Sequence, residues 1–183
     1  MLACVMLEEA TVQSLRRFGT GLILLGCLLS AAHAEAVPMQ NDPKGYHDLA
    51  WGISLTAKSE LELTREGPHV REYQFKNTAH TFAGIPVESV RLSTVDEQFA
   101  RVTVRYQGEA THKRIMVYLE KEFGPIERIP GQMMRGLNQQ YNWRGVETEV
   151  NVTYQGASER GYIFLDSRTL APRFNDHITD SSE

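Results

Sequence analysis

The sequence predicts an α+β fold in which two helices cover one face of an antiparallel sheet. Two segments with helical periodicity end at similar stops, Gly67-Pro68 and Gly124-Pro125. Each is followed by segments in which apolar and polar residues alternate, and short turns separate those segments. Hairpins with few helices favour an antiparallel sheet covered on one face, so we expect the order helix, strands, helix, strands. The repeated order also suggests a degenerate internal duplication.

The first 34 residues are a predicted signal peptide, removed on export. Arg16 and Arg17 supply its positive charge, residues 21–32 its apolar segment, and Ala32-His33-Ala34 a cleavage site. The apolar segment is shorter than the roughly 20 residues that a membrane span requires. We therefore expect a periplasmic or secreted bacterial protein that begins at Glu35 and has no transmembrane span in its mature chain.

Two alternatives for the N-terminus stay open. Leu24-Leu25-Gly26-Cys27 resembles a lipobox, which would place a lipid on Cys27, although the apolar residues after Cys27 fit a continuing signal segment better. Glu8 and Glu9 are unusual before a signal segment, so Met6 is an alternative to Met1 as the start.

The composition excludes several function classes. The chain has 19 Lys and Arg against 23 Asp and Glu, and removal of residues 1–34 leaves the net charge at -4. An acidic chain without a basic block cannot neutralise phosphates, so we expect no nucleic-acid partner. Cys4 and Cys27 both precede Glu35, which excludes disulfides, thiolate metal sites and cysteine catalysis from the mature chain.

The mature chain divides into a flexible leader at 35–45, a single domain at 46–170 and a flexible tail at 171–183. The leader is polar and contains two prolines, and the tail lacks periodicity. The periodicity of Ile53, Ala57 and Leu61 predicts a first helix at 54–65.

A second helix is predicted at 111–123. Thr111 is a candidate N-cap, and Ile115, Leu119 and Phe123 form an apolar stripe. Gly124 suits the left-handed position after the last turn, and Pro125 cannot continue the helix.

Alternation predicts two groups of strands, at 70–75, 88–94 and 99–106 and then at 140–144, 146–154 and 161–166. In the 88–106 hairpin we expect Leu92 opposite Val102 on the core face. The other face would then pair Ser89 with Arg105, Arg91 with Thr103 and Ser93 with Arg101.

The three arginines Arg91, Arg101 and Arg105 are therefore expected on one sheet surface. Arginine suits carboxylates and phosphates, so the surface is a candidate docking strip for an acidic partner or anionic lipid head groups. The alternative is internal neutralisation by Glu147 and Glu149, if the 146–154 strand lies alongside.

The aromatic residues are interpreted as core, at inward strand positions or beside turns; they are Trp51, Tyr106, Phe123, Tyr141, Trp143, Tyr154, Tyr162 and Phe164. Trp51 and Trp143 stand next to Gly52 and near Gly145, so they are also candidates for the rim of a ligand groove.

The sequence contains no recognised catalytic motif: no G-x-S-x-G, no H-E-x-x-H and no phosphate-binding glycine loop. For this reason no catalytic residue and no cofactor is predicted. No metal ligand is predicted either, because no two histidines share the spacing that places them on one face of a helix or strand. His47-Asp48 is the best local pair. Met133-Met134 with Met39 could bind Cu(I), so a small-ligand or copper carrier is the first alternative and an unrecognised hydrolase the second.

Several short motifs resemble a loose group of small bacterial secreted proteins and lipoproteins; they are Trp51-Gly52-Ile53-Ser54, Phe82-x-Gly84-Ile85-Pro86, Val104-x-Tyr106-x-Gly108, Phe123-Gly124-Pro125 and Tyr141-x-Trp143. Across 46–166 the order of elements is also similar to the helix-plus-sheet modules of the outer-membrane assembly lipoprotein BamE and of β-lactamase inhibitor protein. The inhibitor's disulfides are missing, and no functional residue transfers. The resemblance implies a binding protein rather than an enzyme. Together with the missing catalytic motifs, the uncovered sheet face favours a non-enzymatic protein that acts through this face on another envelope protein or an anionic surface.

Overall fold

The structure, a computed structural model, describes residues 39–126 and 138–180. All of these belong to one unit, residues 35–183. The elements in chain order are β1 Gly45–Tyr46, β2 Leu49–Ala50, β3 Leu61–Glu66, β4 Val70–Phe75, β5 Thr81–Phe82, β6 Ile85–Pro86, β7 Ser89–Val95, β8 Gln98–Gln107, α1 Glu109–Phe123, β9 Asn138–Arg144, β10 Thr148–Gln155, β11 Arg160–Ser167 and α2 Arg173–Asp180.

Seven strands form one antiparallel sheet in the order β3-β4-β7-β8-β11-β10-β9. The short pairs β1-β2 and β5-β6 form separate two-stranded ladders. The last strand of the described residues, β11, lies between β8 and β10. Side chains alternate between the two faces of a strand, and one set is fully buried, including Val102, Val104, Val150, Val152 and Ile163. This set forms the core face of the sheet.

Helix α1 packs on the core face through Ile115, Leu119 and Phe123, which are buried as the sequence predicts. The ring of Phe123 meets that of Trp143 edge-on, with centroids 6.2 Å apart. The helix begins two residues earlier than predicted, after Gly108, so Thr111 lies inside the helix and does not cap it. Gly124 has a φ of 95°, which confirms the expectation that a glycine ends the helix.

The predicted fold class is wrong in its helices. Residues 54–65 do not form a helix, because turns occupy this region and β3 begins at Leu61. The Leu61-Glu62-Leu63 alternation fits a strand, and backbone pairing with β4 prevails over the weaker four-residue spacing. Gly67 lies in the β3–β4 hairpin turn, where its N–H donates to the carbonyl of Val70 at 2.9 Å.

The protein is therefore mostly antiparallel sheet, with α1 on one face and the short α2 near the C-terminus. The alternation of helix and strands is absent from the described residues, and with it the basis for an internal duplication. Neither described helix has the length and apolar character needed to cross a membrane.

The described part of the predicted leader contacts the domain. Met39 is buried, and the N–H of Gln40 donates to the carbonyl of Phe123 at 3.0 Å. The carboxylate of Asp42 accepts hydrogen bonds from the backbone N–H groups of residues 146, 147 and 148, at 2.5, 2.8 and 3.0 Å. This carboxylate thereby caps the turn between β9 and β10.

The described part of the predicted tail also contacts the domain. Phe174 on α2 is buried in a small cluster with Val95, Ala100 and Leu170. The cluster holds α2 against the end of the β7–β8 hairpin. This helix follows β11, whereas the helix predicted at 54–65 would precede the strands of the sheet.

A histidine of α1, His112, is buried on the side of the helix that faces the sheet. Its Nδ1 is 2.8 Å from the hydroxyl of Tyr106 and its Nε2 is 3.0 Å from Oε1 of Gln139. The ring of Tyr154 stacks on it with centroids 4.0 Å apart. Burial lowers the pKa of His112, and the hydrogen bond to Gln139 only partly opposes this effect. His112 is therefore a neutral core side chain with both ring nitrogens engaged.

Candidate functional site: the open face of the sheet

The sheet surface opposite α1 is called the open face here. It is formed by outward residues of the four strands β7, β8, β11 and β10: Arg91, Ser93, Arg101, Thr103, Arg105, Tyr162, Phe164, Asp166, Glu149, Asn151 and Thr153. Its central members stay partly accessible to solvent.

The register of the β7–β8 hairpin confirms the prediction. Leu92 pairs with Val102, and both are fully buried on the core face. On the other face Ser89 pairs with Arg105, Arg91 with Thr103 and Ser93 with Arg101. The structure therefore brings Arg91, Arg101 and Arg105 to one surface.

Each of the three arginines lies beside a carboxylate. The distances are 3.3 Å for Arg91–Glu72, 2.7 Å for Arg105–Glu88 and 2.6 Å for Arg101–Asp166. The Arg105 Nε contact lacks the alignment of a hydrogen bond, so it is an interaction of charges alone. The charge of the strip is largely balanced within the protein.

The neutralising residues differ from those that the sequence suggests. Glu147 and Glu149 were candidates on the assumption that their strand lies beside the hairpin. In the sheet, β11 separates β10 from β8, so the neighbouring carboxylate comes from Asp166 on β11. The strand order, which requires non-local information, decides this pairing.

Arg101 is the most integrated of the three. Its Nε and Nη2 donate to the two oxygens of Asp166 at 2.6 and 3.1 Å. Its guanidinium lies 5.5 Å from the ring centroid of Phe164 and 4.7 Å from that of Phe174. Burial raises the pKa of Asp166, and the hydrogen bonds and charge of Arg101 act in the opposite direction. Arg101 therefore stabilises the ionised form of this carboxylate. Arg101 thus joins β8, β11 and α2.

Arg91 and Arg105 are more accessible, with side chains 54% and 42% exposed. Exposed ion pairs contribute little to stability, so these arginines can exchange carboxylate partners at small cost. They flank the centre of the open face, where the remaining side chains are uncharged.

That centre is an aromatic pair, Tyr162 and Phe164, whose rings stack with centroids 6.3 Å apart and an interplanar angle of 8°. The interpretation of these residues as core is wrong. Tyr162 pairs with Arg105 and Phe164 with Thr103, while the intervening Ile163 and Leu165 are buried. Both faces of β11 are apolar, so alternation alone could not tell which set faces α1. Apolar residues at both parities were themselves a signal of two apolar faces.

Trp51 and Trp143 do not belong to the open face. Trp143 is only 4% exposed, and its indole N–H donates to the carbonyl of Gly124 at 2.9 Å. Trp51 is half-buried, donates to Oγ1 of Thr148 at 2.7 Å and packs on Phe99. Trp143 exposes too little surface to line a ligand groove, and both indoles join chain segments to the core.

The methionine set considered for copper is not brought together in the described residues. Met39 is buried in the core, and Met133-Met134 lies outside the described part of the chain. The ring of His47 lies edge-on to those of Tyr46 and Phe75, at centroid distances of 4.4 and 5.8 Å.

Comparison of the chain with protein-family models, with curated proteins and with solved structures gives no match. The resemblance to BamE-like modules therefore stays a prediction, and the geometry of the open face carries the functional argument.

Proposed function

We propose that this chain is an exported, non-enzymatic binding protein of the cell envelope or its surroundings, and that its open face binds a protein partner. The observation that carries the proposal is the Tyr162–Phe164 pair, which remains partly exposed in the middle of a sheet face. The predicted signal peptide supports export, and the resemblance to envelope binding modules supports the class.

The composition of the open face is that of a binding surface. Aromatic residues and arginine are enriched in protein interfaces and among the residues that contribute most binding energy. Here an aromatic centre is bordered by Arg91 and Arg105, with Asn151 and Thr153 beside the rings on β10. Such a centre can be desolvated while the border keeps its ion pairs in water.

Charge favours a protein over an anionic lipid surface. Anionic membranes attract surfaces with an excess of positive charge, whereas Arg91, Arg101 and Arg105 each lie beside a carboxylate and leave little excess. A protein segment with an apolar or aromatic side chain and a flanking carboxylate fits both the centre and the accessible arginines. We therefore propose a protein partner and treat anionic lipid as an outcome that the experiment can reveal.

The test is cross-linking in the native cell envelope, with a photoreactive residue in place of Thr103 beside the aromatic pair. We expect a specific partner, whose capture is lost in the Tyr162→Thr/Phe164→Thr variant. The matched control is Val117→Thr/Val146→Thr, which removes apolar groups that are 68% and 79% exposed elsewhere on the surface. Capture that is equal in both variants would overturn the proposal.

Anionic vesicles provide the second arm of the experiment. The wild-type protein should bind them weakly. Strong binding that survives the Tyr162→Thr/Phe164→Thr changes and is lost in Arg91→Ser/Arg105→Ser would instead assign the face to a membrane surface.

Export is tested separately by the intact mass of the protein recovered from the envelope. We expect a chain that begins at Glu35. A diacylglyceryl-bearing Cys27 or an unprocessed chain would contradict this proposal.

A further inference from the structure

Three polar side chains from separate parts of the chain converge at the end of the β7–β8 hairpin. His69 lies in the turn between β3 and β4, Asp96 in the turn between β7 and β8, and His177 on α2. Nδ1 of His69 is 3.1 Å from Oδ1 of Asp96, and Nε2 of His177 is 3.2 Å from the same oxygen. All three donor atoms lie within 4.8 Å of one another.

The geometry points to a site for a divalent transition metal ion, and we propose that His69, Asp96 and His177 are its three protein ligands. Two imidazole nitrogens and one carboxylate oxygen form a ligand set that Zn²⁺ accepts, with bonds of about 2.0–2.2 Å. Tetrahedral bonds of that length separate the ligand atoms by about 3.3 Å, close to the two nitrogen–oxygen distances in this cluster. The inference goes beyond partner binding by the open face and does not depend on it.

The positions of the ligands are fixed by their surroundings. The N–H of Asp96 donates to the carbonyl of His69 at 2.8 Å, which joins the two turns. Asp96 and Glu97 have φ values of 47° and 68°, so both residues of this turn have the left-handed backbone conformation. Phe174, three residues before His177, anchors α2 in the cluster with Val95. The backbone segments that carry the three ligands are therefore held near one another, and a metal ion requires only a rotation of side chains.

The accessibility of the cluster also suits a metal. The imidazole rings stack with centroids 4.0 Å apart and an interplanar angle of 6°. A metal ion lies in the plane of each imidazole that binds it, so at least one ring must turn from this position as the ion enters. The side chains of His69 and Asp96 are 53% and 40% exposed, so water can reach a further coordination position.

The competing account is a hydrogen-bonded clamp without metal. In that account the carboxylate between two imidazoles attaches α2 to the two turns and nothing binds. Only a metal site predicts stoichiometric zinc binding. Only a metal site also predicts that variants which keep the fold lose this binding.

The experiment is calorimetric titration of the purified, untagged protein with Zn²⁺. We expect one ion per chain. The variants His69→Gln, Asp96→Asn and His177→Gln should each raise Kd at least about 10-fold. Asn tolerates the left-handed backbone of Asp96, so Asp96→Asn preserves the turn while removing the anionic ligand.

The matched control is His47→Asn, which removes an exposed histidine at another position with positive φ, 51°. This variant should bind zinc as the wild type does. A second readout is the unfolding temperature, which zinc should raise in the wild type and in His47→Asn but not in Asp96→Asn. Absence of saturable 1:1 binding, or an unchanged Kd in Asp96→Asn and His69→Gln, would overturn the proposal.

Discussion

The two faces of the seven-stranded sheet both carry apolar residues, but the two sets differ in burial and in the residues that surround them. On the core face, Val102, Val150 and Ile163 are fully buried beneath or beside α1. On the open face, Tyr162 and Phe164 belong to the same central strand, yet they remain partly exposed among arginine, asparagine and threonine. The aliphatic residues therefore serve the fold, whereas the open-face rings can serve a partner.

The largest expected effect belongs to the core face. Leu119→Ala should lower the free energy of unfolding by about 2–5 kcal/mol, because the fully buried side chain leaves a cavity between α1 and the sheet. Denaturant titration measures this loss. Val117→Ala, on the exposed side of the same helix, is the control and should change stability by less than about 0.5 kcal/mol. A loss below about 1 kcal/mol for Leu119→Ala would show that the stripe is not a core stripe.

The next effect separates the arginines of the open face. Arg101→Ser should destabilise the protein by about 2–3 kcal/mol, because it leaves the buried carboxylate of Asp166 without its partner. Arg91→Ser should cost no more than about 1 kcal/mol, since that ion pair is exposed. Thermal or denaturant unfolding of both variants gives the comparison. Equal losses would contradict the structural role given to Arg101.

A smaller effect is expected at the aromatic pair. Tyr162→Thr/Phe164→Thr should cost about 1 kcal/mol, chiefly the contact between Phe164 and Arg101, because threonine keeps a high preference for strands. Circular dichroism and denaturant titration check that the fold persists. A loss of several kcal/mol would place the rings in the core and weaken their assignment to binding.

The smallest expected effect is the pH dependence that His112 contributes. Its pKa is lowered in the folded protein from the ordinary 6.5, so folding favours the neutral ring. That contribution is complete above pH 6.5 and is lost as the pH falls through the folded-state pKa, because the unfolded chain then binds the proton more readily.

The titratable groups that face His112 are Tyr106, Tyr141, Tyr154 and Glu109, of which Glu109 alone titrates in acid. His112→Gln removes the imidazole, so the stability of this variant should fall less steeply between pH 7 and 5. Denaturant titrations across that range provide the measurement. Identical pH profiles for the two proteins would contradict a buried neutral His112.

The sequence predicted helix α1 and the β7–β8 hairpin, because both depend on residues that are close together in the chain. The stripe of Ile115, Leu119 and Phe123 located α1, and the alternation of apolar and polar residues in the 88–106 hairpin predicted the pairing of Leu92 with Val102. The 54–65 segment was misjudged because Leu61 fits both a four-residue and a two-residue period. Its pairing with β4 settles the choice, and that pairing is a tertiary property.

The candidate sites could be predicted only in part. The sequence places the three arginines together because they share one hairpin, whereas Asp166, the partner of Arg101, lies 65 residues further along the chain. His69 and His177 are 27 and 81 residues from Asp96, so no sequence spacing reveals their convergence. The orientation of Tyr162 and Phe164 likewise depends on which face α1 covers.

The central position of β11 also sets an order in time. Translation delivers β3 to β8 first and β9 and β10 later, and the strand that joins these two groups is the last to emerge. Until residues 160–167 are available, β8 and β10 each present an unpaired edge, which is a template for aggregation. A nascent chain therefore completes this sheet only after residues 160–167 have emerged, and a truncation before Arg160 should produce insoluble fragments rather than a smaller folded domain.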